Sequence, residues 1–469
     1  MKFQSSINTL QTLSSLDWIV FSLILIFVFL AVYLGNKFRN RKINPILDYI
    51  VMGRTLTLPM FIATLSSSFY GGIFGVNEIT FNYGIFGFIT QGVFWYIAYA
   101  VFAIFIVKKI SAYKTITLPE LTTGLFGNKA GKITALFSFM YVMPISYVLS
   151  LGIFINLIFG IGLVYSMLAG VVVVCLYSAG TGFRAVVFSD LVQASVMFSS
   201  IIIAAIFCIK TFNGFDILFT NLPKTHFDPT GGNTILHTLT WGFIAMVVLI
   251  DPSFYQRCFA TKDAKTARRG VFISIALWIV FDICANLGAL YARAVIPDAN
   301  ASTAFFTLAL QILPVGLKGF FIAGILATIF STLDSFLFIS SNTLIYDMIR
   351  VRSKNFVKIS FFSMFAIGLL CVGLTVLFNH SFKAIWMTMG SYYSACILIP
   401  VLLVYIKPNF IGDRIFTASA LSAAFIMTLW NFTKVNLLIP GLDSFYVGLA
   451  TSILVIGISK VVLFKNETI

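Results

Sequence analysis

The sequence predicts an all-α polytopic membrane protein of about thirteen transmembrane helices, and three observations carry that expectation. Hydrophobic residues make up 59% of the 469 and the mean hydropathy is +0.99, far outside soluble composition. Long continuous apolar runs recur without strand-type alternation, which an outer-membrane barrel would show instead. The Lys and Arg residues fall in short clusters between those runs, so the net charge of +15 reads as membrane topology and not as a nucleic-acid patch.

Taken in order, the spans are expected at 17–35, 50–77, 84–109, 132–160, 162–180, 185–209, 236–257, 269–293, 313–346, 358–378, 383–406, 414–433 and 444–464. The ninth run exceeds one simple crossing, so part of it is expected to project toward the cytoplasm. An odd number of spans puts the termini on opposite sides. With the N-terminus outside, the inner loops hold Lys37, Arg39, Arg41, Lys42 and Arg54, then Lys108 to Lys132, Arg184, Arg257 to Arg269, Arg350 to Lys358, Lys407, Arg414, Lys460 and Lys465. These are 24 of the 31 basic residues, which predicts an N-out, C-in protein of the plasma (inner) membrane.

The longest outer loop, near 211–235, shows turn signals at Asp228-Pro229 and Gly231-Gly232. Residues 302–313 read as a helix lying along the outer surface. A signal peptide is not expected, because basic residues and no small-residue cleavage site follow the first apolar run. The six cysteines lie in or beside apolar runs without metal or disulfide spacing and read as packing residues. All three histidines fall in or beside loops. No catalytic or nucleotide-binding module is visible, so neither an enzyme nor a cofactor is expected.

Polar residues inside apolar runs carry the chemistry, because ionisable groups there are costly and face a cavity, a partner or an ion path. Asp190, Asp282 and Asp334 are central, and Asp251 lies near the inner end of its span. Ser331, Asp334 and Ser335 share one helix face by their i, i+3, i+4 spacing, with Thr332 a step around. Their hydroxyl and carboxylate oxygens are hard ligands for an alkali cation; alternatively, the hydroxyls bond only carbonyls of their own helix. Ser66-Ser67-Ser68-Phe69-Tyr70-Gly71-Gly72 interrupts the second span. Such a stretch either breaks the helix to free backbone groups for ligands or lets helices pack closely.

Three motifs together resemble the sodium:solute symporter family of sodium-coupled sugar, proline, pantothenate and sialic acid carriers. The run from Gly182 to Gln193, with Arg184, Ala185, Val186, Ser189 and Asp190, is similar to G-x-R-A-V-x-x-[ST]-D-x-x-Q. The run from Gln256 and Arg257 to Asp263 resembles Q-R-x-x-A-x-K-[DS]. Ala327 to Ser335 is similar to A-A-x-x-S-T-x-D-S, with Thr328 in place of the second alanine.

The resemblance implies a LeuT-like five-plus-five inverted repeat over 50–210 and 236–406. The segment 1–49 would precede it, the loop 211–235 would join its halves, and two C-terminal spans over 407–469 would follow. It implies sodium ligation by the Ser331 and Thr332 hydroxyls, the Thr328 carbonyl, and carbonyls near Leu65 and Ser68. Asp190, with Ser331, Asp334 and Ser335, matches a further sodium site of some members; alternatively Asp190 guides sodium exit or pairs with Arg184. The implied solute pocket draws on Ser67, Tyr70, Gln91, Tyr141, Asp282 and Tyr392. Gln91 stands where sugar carriers have an acid, and Val247 where they have an aromatic gate, which argues against a sugar.

The expected activity is therefore sodium-coupled symport of a small organic solute. Proton coupling through Asp190, Asp282 or Asp334 is the alternative within transport. A non-transporting solute sensor is another, disfavoured because no signalling domain follows the last span near Lys465.

Overall fold

The computed structural model of the chain describes residues 3, 12–37, 44–178, 182–353, 355–433 and 442–467. Arg39, Arg41, Lys42 and Lys354, used above to orient the chain, lie outside the described residues. The described residues are almost entirely helical, with one isolated bridge between Leu56 and Thr261.

The principal helices are α1 (Ser15–Lys37), α2 (Leu58–Ser67), α3 (Ile73–Tyr83), α4 (Ile85–Ile110), α5 (Asn128–Phe159), α6 (Leu163–Ser178) and α7 (Gly182–Thr211). They continue as α8 (Ile235–Ala245), α9 (Pro252–Ala260), α10 (Ala264–Val295), α11 (Leu317–Asn342), α12 (Phe356–Leu377), α13 (Phe382–Ile406), α14 (Asp413–Phe432) and α15 (Ser444–Glu467). Among the described residues, eleven helices are long and apolar enough to cross a membrane. The second and fifth predicted spans are represented differently. One is the pair α2 and α3, separated at residues 68–72, and the other is the shorter α6.

Each departure from a straight helix has a local cause. In α5 the helix stops at Val142 and resumes at Ile145 around Pro144, whose ring cannot continue the ladder. Below α8 the chain tightens into a 3₁₀ turn (Met246–Ile250) and then restarts at Asp251-Pro252. There the Asp251 carboxylate accepts the Ser253 and Phe254 amides at 2.7 and 3.1 Å, and proline occupies the first helical turn. The seventh predicted span is thus broken as the second is, which the sequence reading did not anticipate. Four π-helical segments, among them Ile89–Val93 and Ser394–Leu398, rotate the residues that follow them.

The centre of the molecule is α11, whose apolar stretch is buried along its whole length against α1, α7 and α12. Its N-terminal amides are held by α1: the Asp17 carboxylate accepts from Gly316 N–H at 2.7 Å and Gly319 N–H at 2.9 Å. An anion at a helix start satisfies orphan donors and complements the helix dipole. By contrast, α1 shows Ile19, Leu23, Ile26 and Phe27 on its outer side, an apolar surface suited to lipid.

Two cations counted in the inner loops are instead buried. Arg184 pairs with Asp48 at 3.0 Å and not with Asp190, tying the start of α7 to the short helix Pro45–Val51. Arg257 is fully enclosed on α9. Residues Ala304–Ile312 form a helix as expected, but one enclosed from Ala304 to Leu310 and not spread along a surface, and His226 sits in a 3₁₀ turn with Nε2 3.0 Å from the Phe81 carbonyl. The six cysteines are free.

Candidate functional site

A helix that ends inside a membrane leaves its last four carbonyls without intrahelical partners, and in lipid these require substitutes. At the end of α2 the substitutes come from side chains of three other elements. The Thr64 carbonyl accepts from Ser68 Oγ at 2.6 Å and from Arg257 Nε at 3.2 Å. The Ser66 carbonyl takes the indole N–H of Trp278 on α10 at 3.0 Å. The Ser67 carbonyl takes two hydroxyls of α11, Ser331 Oγ at 2.9 Å and Thr332 Oγ1 at 3.3 Å.

Those two hydroxyls also reach the Thr328 carbonyl of their own helix, at 3.2 and 3.1 Å. Each hydroxyl is therefore shared between its own helix and the broken one, and is not confined to carbonyls of its own helix. On the far side of the break, the Gly71 N–H donates to Thr332 Oγ1 at 2.8 Å. Gly71 is required by close approach, because a Cβ there would lie 2.6 Å from Thr332 Cβ and 3.0 Å from Tyr147 Cδ1. Two hydroxyls and two carbonyls thus converge at the break, all enclosed.

The second-span carbonyl that accepts these two hydroxyls is that of Ser67. Leu65 is a fully buried core residue. Ser68 turns its hydroxyl to Ser335 Oγ at 3.1 Å and receives Arg257 Nη2 at 2.5 Å. Ser67, expected in the solute pocket, does not line the cavity described below.

Arg257 organises the neighbouring polar core. Its Nη2 also donates to Ser335 Oγ at 3.2 Å, and its Nη1 to Ser253 Oγ at 2.5 Å. Asp190, Asp251 and Asp334 face its charge. The hydroxyls of Thr64 and Ser67 stand near Asp190, although neither carboxylate oxygen reaches hydrogen-bond geometry with a partner. The expected grouping of Asp190, Asp334 and Ser335 is therefore observed, but a guanidinium lies among them. The sequence reading placed Arg257 in a loop. The signal that could have relocated it was Asp251-Pro252, a helix-start signature inside an apolar run, followed by Phe254, Tyr255, Cys258 and Phe259 around the arginine.

On the other side of the break, Phe69, Tyr70 and Gly72 face a central cavity. Tyr70, Gln91, Tyr141 and Asp282 line it as expected, and so does Val247. Tyr392 does not: it points toward α14, with its hydroxyl 2.9 Å from Thr428 Oγ1. Trp95, Tyr96, Tyr147, Trp241 and Trp386 line the cavity and were missed. Nothing in their spacing distinguishes them from the many lipid-facing aromatics of the chain. Asp282 accepts a hydrogen bond from the Tyr96 hydroxyl, and its backbone carbonyl takes Asn286 Nδ2 at 2.7 Å. Tyr141 donates to Asp251 Oδ2 at 2.9 Å, which joins the cavity wall to the base of the broken α8 and α9.

Comparison with known proteins agrees with this architecture. Over 313 residues the chain is 29% identical to a sodium/pantothenate symporter of Haemophilus influenzae, covering 62% of this chain and 64% of that one. A sodium/glucose cotransporter of Vibrio parahaemolyticus is 26% identical over 47% of this chain and 48% of its own. The chain thus spans less than two thirds of the length of these relatives. A Na+-coupled sialic acid symporter, solved in a substrate-bound outward-open state, superposes with a TM-score of 0.76 at 14% identity, covering 94% of this chain and 96% of that one. Mhp1 in its inward-facing conformation gives 0.55 at 15% identity, over 88% and 92% of the two chains. The fold is LeuT-like. The sodium:solute symporter family model matches residues 49–426, and the chain belongs to that family.

Proposed function

We propose that the protein is a sodium-coupled symporter of a small organic solute, working by alternating access. The observation that carries this reading is the meeting of Ser331 and Thr332 with the Ser67 carbonyl at the helix break. The four converging oxygens are neutral and hard. That donor set suits a monovalent alkali cation, whereas calcium draws on carboxylates. Sodium would take the Ser331, Thr332, Thr328 and Ser67 oxygens while the two hydroxyl protons turn away. Leu65 remains a candidate through its carbonyl alone.

Coupling follows from connectivity. The same five-residue break that carries Gly71 onto Thr332 also presents Phe69, Tyr70 and Gly72 to the cavity. An ion that orders the break therefore shapes one wall of the solute site, and the solute raises sodium affinity by the same factor. Each charge carried across 100 mV contributes about 2.3 kcal/mol to accumulation. A second sodium at Asp190, Asp334 and Ser335 requires Arg257 to release Ser335, so the proposed coupling uses one ion at the break.

The two broken spans open corresponding halves, which supports an inverted repeat over 50–210 and 236–406. N-out orientation in the plasma membrane rests on the loop charge, and the bias survives removal of Arg184 and Arg257 from the count. Uptake and counterflow in proteoliposomes test the proposal. Accumulation should follow an inward sodium gradient, with labelled solute exchanging across the membrane. Uptake driven by a pH gradient in sodium-free buffer, or binding without counterflow, would refute it.

A further inference from the structure

We infer that the central cavity selects a solute with a cationic ammonium centre and a hydrogen-bond acceptor, an inference that rests on the symport reading above. The cavity wall is largely aromatic, with Tyr70, Trp95, Tyr96, Tyr99, Trp241 and Trp386 among its lining residues. Asp282 supplies its acidic group, and among the described residues no lysine, arginine or histidine lines it. Aromatic faces attract a desolvated ammonium through their quadrupoles and give nothing comparable to an anion.

Asp282 is built for a ligand. Only 1% of the residue is exposed, and Oδ2 accepts the Tyr96 hydroxyl, while Oδ1 has no partner at hydrogen-bond geometry, although the Tyr70 hydroxyl stands near the carboxylate. The turn of α10 beneath it is fixed by Asn286, which donates to the Asp282 carbonyl and accepts from Thr80 of α3. Gly92 keeps the space beside the pair open: a Cβ there would lie 2.9 Å from the Tyr96 hydroxyl and 3.4 Å from Asp282 Oδ2. A buried carboxylate oxygen without a donor is costly; any ammonium centre offsets its charge, and a protonated amine also supplies its hydrogen bond. A carboxylate-bearing solute would bring a like charge beside Asp282 and find no cationic side chain in the lining.

The acceptor requirement comes from Trp241, which lines the same cavity with its indole N–H buried and unpartnered. A hydroxyl or carbonyl oxygen on the solute would complete it. Two other polar lining groups are already engaged: Ser146 accepts from Trp386 Nε1 at 3.1 Å, and Tyr141 donates to Asp251.

Thermal unfolding of the purified full chain, in sodium or in potassium, tests this with probes matched in shape. The probes are choline, its neutral carbon analogue 3,3-dimethyl-1-butanol and the anion 3,3-dimethylbutanoate, with ethanolamine, D-glucose and pantothenate alongside. A sodium-dependent rise in melting temperature is expected with choline or ethanolamine and not with the neutral or anionic probes. In Asp282→Asn the ethanolamine concentration for half-effect should rise about 10- to 100-fold, the worth of one charge-assisted hydrogen bond, and that of choline should rise through loss of the charge alone. Stabilisation by glucose, pantothenate or the butanoate, or by no ammonium probe, would overturn the inference. Sodium alone should raise the melting temperature of Asp282→Asn as it does in the wild type, which shows that the variant is folded. Loss of that sodium response in Ser331→Ala with Thr332→Ala reports on the symport reading separately. If sodium acts there and no ammonium probe does, only the choice of solute falls.

Discussion

Replacing Ser331 and Thr332 together by alanine removes both hydroxyls that meet the broken helix. The Ser67 carbonyl then loses donors at 2.9 and 3.3 Å, and the Gly71 N–H loses its acceptor at 2.8 Å. An unsatisfied buried backbone group costs about 1–3 kcal/mol, so the sodium-free protein should be measurably less stable. The effect on the ion is larger. Two of the four proposed oxygen ligands disappear, each contact comparable to a charge-assisted hydrogen bond of about 1.5–3 kcal/mol. Together they amount to roughly 3–6 kcal/mol, or two to four powers of ten in sodium affinity. Sodium at 100 times its dissociation constant stabilises a protein by about 2.7 kcal/mol, and that increment should vanish in the double variant. Melting temperature against sodium concentration, at constant ionic strength with potassium, reads both effects, and sodium-stimulated uptake reads the consequence. A sodium titration of the double variant that superimposes on the wild type would refute the assignment.

Gly71→Ala places a methyl group against Thr332 Cβ and the Tyr147 ring. The strain, about 1–3 kcal/mol, should appear as weaker sodium response in the same titration, with the Ser331 and Thr332 hydroxyls intact. Arg257→Met leaves Asp190, Asp251 and Asp334 without their buried cation and should cost about 3–5 kcal/mol in unfolding free energy. Arg257→Lys keeps the charge but not the fork that holds Ser253 through Nη1 and Ser68 and Ser335 through Nη2, and should fall between; a Met variant as stable as the wild type would show that the guanidinium is not needed as compensation. For Arg184 and Asp48, 3.0 Å apart and almost enclosed, a double-mutant cycle with alanine should give a coupling energy of about 0.5–3 kcal/mol. Additive losses would mean that the pair contributes nothing beyond packing.

Much of this architecture was legible in the chain because lipid enforces simple rules. Apolar runs long enough to cross a bilayer have few alternative fates, and Ser66 to Gly72 announced a break by composition. The second break was legible too, in Asp251-Pro252, but an apolar run of span length concealed it. What could not be read was register within a break. No propensity fixes how five residues turn between two helices, so the sequence did not show that the Ser67 carbonyl would take the α11 hydroxyls. Charge counting failed at Arg184 and Arg257 for a different reason: it assumes that cations sit in loops, and these two have buried acids to meet. Tyr392 was misplaced because the facing of an aromatic residue depends on helix rotation, and a π-helical segment begins two residues after it at Ser394.

The enclosure of α11 has a consequence for how the molecule is assembled. With no side left for lipid, this helix has no stable position as a lone span: Asp334 near the bilayer centre would cost about 2.5–3.5 kcal/mol on insertion scales. The groups that receive it are synthesised first, with Asp190 on α7 preceding Arg257 on α9 and both preceding Asp334. Arg257 therefore enters a bilayer where Asp190 and Asp251 already wait, and Asp334 enters one where Arg257 does. The centre of the bundle is thus set after its surroundings, and α12 packs against a helix that its neighbours, and not the lipid, hold in place.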